Sequence, residues 1–163
     1  MQPDRRGLFT TMYDLINNIS KRCHDAATKR GKDTSCVGCL QYLAVELREY
    51  WDAVDKGRNV PDFAETVQKA NALPDAEFNA LYAAKIHNTA ADELADVLIV
   101  AASWIQAAKL AEGDDFQPNR SLDVVLASGA VQFVCGQITC AQDLEELRQV
   151  VNLKMRYNET RND

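Results

Sequence analysis

Apolar residues recur every three or four positions along most of this chain, which is the signature of helices that bury one face. Leu8, Met12, Leu15, Ile16 and Ile19 predict a first helix over 8–29, ended by Gly31 in "RGKDTS". Leu40, Leu43, Leu47, Trp51 and Val54 form the stripe of a second helix over 35–56, stopped at Gly57. The pattern loosens over 58–74 between Pro61 and Pro74, where "DFAETVQKAN" has room for one short helix. A third long segment starts after Pro74 and runs towards His87. Thr89 followed by Asp92 then matches a helix-start signal, so the pattern permits one long helix or two abutting ones. Periodicity continues to about Glu112, and "EGDDFQPN" makes a loop. A helix over 121–134 is predicted despite the β-branched residues of "DVVLASGAVQFVC". The last begins near Ala141, carries Leu144, Leu147, Val150, Val151 and Met155, and fades in "NETRND". No segment alternates as a strand would. The expected fold is all-α: one domain over 1–163, a four- or five-helix bundle, with 58–74 an insertion or loop.

Charge narrows the function classes. The 163 residues carry 24 acidic against 18 basic side chains, a net −6, and a nucleic-acid polymer needs the opposite balance. A small anionic ligand stays open, because divalent cations bridge like charges. No stretch is read as the ~18 continuous apolar residues of a membrane span, and "MQPDRRGLFT" lacks the apolar core of a signal peptide. With five cysteines, an odd number, the expectation is reduced thiols and a cytoplasmic protein without a membrane. Cys36-Val-Gly-Cys39 is a lone C-x-x-C, with neither a second pair for zinc nor a βαβ setting for redox chemistry.

Acidic residues in apolar surroundings change the picture most. "ADELADVLIVAASWIQAA" reads as a core helix, yet Glu93 and Asp96 stand at its entrance. Glu46 and Glu49 in "LAVELREYWDAV" have the same spacing of three, which places each pair on one side of its helix. Glu46 borders the apolar stripe, and Glu93 falls in the arc of Val97, Val100 and Trp104. An ionised carboxylate there costs several kcal/mol unless it is paired or binds a metal. Acidic residues also favour the first turn of a helix, and a single E-x-x-E is common on solvated faces. Two pairs at two core boundaries weigh towards chemistry. Four carboxylates without a nearby histidine form a hard oxygen set that suits Mg²⁺ or Mn²⁺, with a polyphosphate as the remaining ligand.

"ELREYWDAVDKG" followed by "DELADVLIV" resembles the MazG-like all-α nucleoside triphosphate pyrophosphohydrolases, a group related to dimeric dUTPases and dCTP pyrophosphatases. Their E-x-x-E and E-x-x-D pairs are matched here by Glu46, Glu49, Glu93 and Asp96. The tail "KMRYNETR" and the stem "CHDAATKRGK" add to the likeness, which covers most of the chain. Val45 departs from it, standing where an acidic residue is common, and so does the long linker holding Pro61 and Pro74. The resemblance implies a Mg²⁺-dependent cleavage of a nucleoside triphosphate between its α- and β-phosphates. It further implies the four carboxylates as metal ligands and a homodimer or homotetramer. Glu49 is the preferred general base.

Other candidates follow from position. Lys154, Asn158 and Arg161 fall on one stripe of the last helix and read as a phosphate and sugar clamp, against a frayed end. Trp51, Tyr157, Tyr50 and Trp104 are stacking candidates for a base, with core packing as the competing role. His24 could reach substrate from the first helix. Asp92 reads as an exposed capping carboxylate, with an outer-shell role as the alternative; Lys29, Arg30 and Lys32 read as a solvated helix end. Competing functions are a non-catalytic helical interaction module and a di-iron carboxylate bundle. The second wants Glu-x-x-His, which neither His24 nor His87 completes.

Overall fold

A computed structural model describes residues 4–161, and the expected helices are there: α1 (Arg5–Lys29), α2 (Cys36–Asp55), α3 (Phe63–Ala72), α4 (Asp75–Lys85), α5 (Ala90–Glu112), α6 (Leu122–Gln137) and α7 (Ala141–Thr160). A single 3-10 turn, Gly113–Asp115, follows α5, and no strand occurs among the described residues. The fold is an all-α bundle in which the five long helices are α1, α2, α5, α6 and α7.

Composition explains why α5 is the central helix. Leu94, Val97, Leu98, Trp104 and Ile105 are buried along it, and Ala95, Ala101, Ala102 and Ala108 keep its surface low enough for neighbours to approach. α1, α2, α6 and α7 all pack against it. Ala90–Asp115 is long and apolar enough on average to cross a membrane, although Asp96, Gln106 and Lys109 interrupt its apolar run. Most of that stretch is buried inside the bundle, because a helix covered on every side is apolar all round.

Capping side chains set the boundaries. Ser35 accepts from the Gly38 amide at 3.0 Å, Thr89 from Asp92 at 3.3 Å, and Ser121 from Val124 at 3.3 Å. The open question after Pro74 resolves into two helices. Asn88 adopts φ of 61°, a left-handed conformation that asparagine tolerates better than most residues, and Thr89 then caps α5.

The segment 58–74 contains the short helix α3, which packs on α4 and α7. Arg156 of α7 ties this region down: it donates to the carbonyls of Ala70 (3.2 Å) and Leu73 (2.7 Å), pairs with Asp75 (2.7 Å), and lies over the Phe78 ring. One arginine thus holds the end of α3 and the start of α4.

α2 differs from its predicted orientation. Leu40, Trp51 and Val54 of the expected core stripe are exposed, while Gly38, Cys39, Glu46, Tyr50 and Ala53 face inward. The buried face is rotated by roughly 100° from the most apolar one. Cys39 and Tyr50 fill the contact with the bundle, and Glu46 comes with them.

Gly38 marks a close approach at the start of α2. A Cβ there would sit 2.4 Å from the Asp33 carbonyl oxygen and 2.5 Å from its Cγ. Asp33 cannot withdraw freely, since its carboxylate accepts from the Ser35 amide at 3.0 Å. Gly38→Ala is therefore expected to lower stability by about 1–3 kcal/mol, read from urea unfolding. An unchanged midpoint would show that the α1–α2 turn yields without cost.

Candidate functional site

Two helices, α2 and α5, bring the predicted carboxylates together. Ligand oxygens of Glu46, Glu49 and Glu93 lie within 4.8 Å of one another, and those of Asp92, Glu93 and Asp96 form a second such group. Glu93 belongs to both. Glu46 and Glu93 are buried, Asp96 is largely buried, and Glu49 is exposed at the edge. The i, i+3 spacing on α2 and α5, which run antiparallel, makes the pairs meet across the helix contact.

Asp92 corrects the sequence reading. It is 0% exposed and is no surface cap. Its carboxylate accepts from the Tyr82 hydroxyl, the Asn88 amide (2.9 Å), His87 Nδ1 (3.1 Å) and Lys154 Nζ (2.8 Å). Burial opposes its charge, but the partners His87, Lys154 and Tyr82 prevail and hold this carboxyl below its ordinary value. The same bond raises the pKa of His87, with burial working the other way. Adjacent in sequence to Glu93, Asp92 thus anchors the start of α5 and orients Lys154.

Lys154, 3% exposed, reaches from α7 to lie between Asp92 and Asp96, at 2.8 and 2.6 Å. Burial disfavours its ammonium, yet the charges of Asp96 and Asp92 raise its pKa. Its place is therefore among the carboxylates. As a counter-ion it does not suffice. Among the described residues, no salt bridge or hydrogen bond reaches the carboxylates of Glu46, Glu49 or Glu93. Burial first, then the charges of Asp96 and Glu49, push Glu46 up to about 8. Burial first, then Asp92 and Asp96, push Glu93 up to about 7. Such a cluster either retains protons or takes a cation.

A cleft opens beside Glu46 and Asp96. It runs along α5 past Ile99 and Val100 to Ser103, with Tyr42 and Cys39 from α2, Cys23 from α1 and Met155 from α7. Lys32, Asp33 and Thr34 of the α1–α2 turn border it, as do Arg22 and Arg30. The cleft is thus apolar along its length and acidic at one end, and its rim carries Arg22, Arg30 and Lys32 beside Asp33 and Glu159, the last paired with Arg22 at 2.7 Å.

The remaining predicted residues divide. Asn158 lines the cleft, and its Oδ1 accepts from Arg30 at 3.1 Å. Arg161 lies just past the end of α7, over the Tyr157 ring. Tyr157 stacks on Tyr82 at 4.4 Å and does not line the cleft. Trp51 lies on the outer flank of α2 against Tyr50 and Phe133, and His24 is buried in α1 without reaching the cleft. Trp104 is a core residue whose Nε1 donates to Asp123 at 2.9 Å. Burial raises Cys36 to about 11 and Cys39 to about 12, which keeps both thiols protonated at neutral pH. Arg22, Arg30, Lys32 and Tyr42 are the cleft residues that spacing did not find. "CHDAATKRGK" contained the signal, a run of cations at the turn leading into α2.

Comparison with known proteins finds no matching family model, no matching curated protein and no matching solved structure.

Proposed function

We propose that this chain is a divalent-cation-dependent pyrophosphohydrolase of nucleoside triphosphates, as its resemblance to the MazG-like enzymes implied. The observation that carries the reading is the juxtaposition of an under-compensated carboxylate cluster with a cleft rimmed by Arg22, Arg30 and Lys32. Carboxylates alone would repel a polyphosphate. Cations on the rim and a divalent ion at the cluster remove that repulsion.

The donor set fits Mg²⁺ or Mn²⁺, being all oxygen, and three of its carboxylates have no protein partner. Glu46, Glu49 and Glu93 would hold the ion, with Asp96 beside them. Bound there, it supplies neutralisation of phosphate charge and acidification of water. The protein contributes the rest. Arg22, Arg30 and Lys32 draw the phosphates to the mouth. Tyr42, Ile99, Ser103 and Met155 enclose the nucleoside, and Asn158, fixed by Arg30, offers an amide to it. Glu49, exposed and unpaired, is the carboxylate placed to accept a proton from attacking water. Water is consumed, the α–β anhydride bond breaks, and nucleoside monophosphate and pyrophosphate leave.

Pyrophosphate release from a panel of nucleoside triphosphates with Mg²⁺ or Mn²⁺ tests this. Turnover of one or more nucleotides is expected, abolished by chelator; no turnover with any nucleotide refutes the reading.

A pH experiment tests the cluster itself. Glu46 and Glu93 carry raised values of about 8 and about 7 against 4.5 when unfolded, so between those limits the folded state binds more protons. Stability of the metal-free protein should fall as pH rises from about 5 to 8. Mg²⁺ should restore more of it at pH 8 than at pH 5, because its ligands must be deprotonated. A melting temperature insensitive to both variables would count against a shared cation site.

A further inference from the structure

Five serine and threonine side chains are buried among the described residues, and four of them are satisfied within the fold. Ser20 donates to the Asn17 carbonyl at 2.9 Å, Thr66 to that of Pro61 at 2.6 Å and Thr89 to that of Ile86 at 2.6 Å, while Ser121 accepts from the Val124 amide at 3.3 Å. Ser103, 5% exposed, is the exception: its hydroxyl has no partner among the described residues and opens into the cleft. A hydroxyl inside a helix commonly returns to the carbonyl four residues back, as Ser128 does with Val124 at 2.8 Å. Left without a bond, a buried hydroxyl is destabilising. Alanine would pack at this position of α5 equally well and forms helix better, so packing does not account for the serine.

Position along the cleft says what this hydroxyl meets. Two helical turns separate Glu46 from Cys39 on α2, and Asp96 from Ser103 on α5. Because the helices are antiparallel, Cys39 and Ser103 share a level about 10 Å from the carboxylates. Ile99 and Val100 line the interval with apolar surface. Cys39 and Cys23 bring to the cleft only thiols that burial keeps protonated, both pushed up to about 12, and a thiol is a weak hydrogen-bonding group. We infer that Ser103 is the specificity-determining residue of the cleft, its hydroxyl bonding the edge of a nucleobase opposite the glycosidic bond. The inference rests on the nucleotide reading above: with the phosphates held at the carboxylate end, sugar and ring extend along α5 and that edge arrives at Ser103. It is the edge that carries the exocyclic amino or oxo group of each common base. A serine hydroxyl donates to an oxo group and accepts from an amino group. Ser103 therefore selects for a polar group at that edge, because a base lacking one would bury the hydroxyl without a bond.

Isothermal titration calorimetry of the full chain with Mg²⁺ and the non-hydrolysable α,β-methylene triphosphates of the common nucleosides tests it. The tightest binder is then compared with its analogue lacking the exocyclic group at that edge, a pyrimidin-2-one or the correspondingly unsubstituted purine. Wild type should bind the analogue about 10–100-fold more weakly. Ser103→Ala should bind the parent nucleotide more weakly by a similar factor and no longer distinguish it from the analogue. The same variant should melt at an equal or higher temperature, since alanine is the better helix former. Ser128→Ala removes a hydroxyl on α6 outside the cleft and should keep the wild-type distinction. A wild type that does not discriminate, or discrimination that survives Ser103→Ala, overturns the inference and leaves nucleotide binding standing. A Ser103→Ala protein that melts lower than wild type overturns it too, because the hydroxyl would then be bonded within the fold. Absence of binding by every nucleotide overturns both the inference and the reading on which it rests.

Discussion

Replacing Glu93 by Gln is expected to lower pyrophosphate release by on the order of 10³-fold or more, while leaving the metal-free protein at least as stable. Glu93 is the one carboxylate common to both acidic groups, so its loss removes a ligand from each. Glutamine keeps the shape and deletes the charge. In the folded protein that charge is disfavoured by burial and by Asp92 and Asp96. The sign with pH follows. Above about 7 the wild type carries the unfavourable charge, and the variant should unfold at a higher temperature. Near pH 5 Glu93 is protonated in the folded state and the difference should close. Turnover by the variant at the wild-type rate would remove Glu93 from the site. A lower melting temperature at pH 8 would mean that its charge is compensated by a partner.

Lys154→Met should be the most destabilising single substitution at the site, costing about 3–5 kcal/mol near neutral pH in urea unfolding. The methionine fills similar space, but Asp92 and Asp96 lose the ammonium that lies 2.8 and 2.6 Å away. Asp92 has no water to turn to, being 0% exposed. Its pKa is depressed, so its contribution is present above the unfolded value of 3.8 and disappears as pH falls through the folded one. Lys154 has a raised pKa, and its contribution is full below 10.5 and disappears as pH rises through the folded one. The gap between wild type and variant should therefore be widest between those limits. On the acid side it should begin to narrow early, because burial raises Asp96 and that group takes its proton first. Asp92→Asn combined with Lys154→Met should cost less than Lys154→Met alone, since breaking one partner of a buried pair is worse than neutralising both. A single-variant cost under about 0.5 kcal/mol would show that the buried trio contributes nothing to the fold.

The parts of this fold that depend on neighbours in sequence could be read before the structure. Glu46, Glu49, Glu93 and Asp96 were found by a spacing of three, and Thr89 by its distance from Asp92. Residues whose role depends on distant partners were misread. Asp92 looks like any first-turn carboxylate until Lys154, 62 positions on, is brought beside it. α2 is the clearer case. Hydrophobicity orders side chains by aversion to water, and Leu40 and Trp51 outrank Glu46 on that scale. It does not say which face the adjoining helix covers. α5 covers the Glu46 face, where Cys39, Tyr50 and Ala53 are also buried, and Leu40, Trp51 and Val54 of the apolar stripe are left outside. Arg30 and Lys32 failed for a related reason. A cationic helix end is solvated by default, and only the turn into α2 swings these two over the cleft.

The placement of α5 at the bundle centre has a consequence for synthesis. Two of its four covering helices, α6 and α7, follow it in the chain, and α1 also packs against both. A growing polypeptide that ends shortly after Glu112 therefore presents a helix of membrane-like hydropathy with half its surroundings missing. Translation at ~5–20 residues per second leaves that state in place for seconds. During that interval the apolar faces of α5 that α6 and α7 will cover stay exposed to non-native contacts, and completion of α7 ends that exposure by closing the bundle.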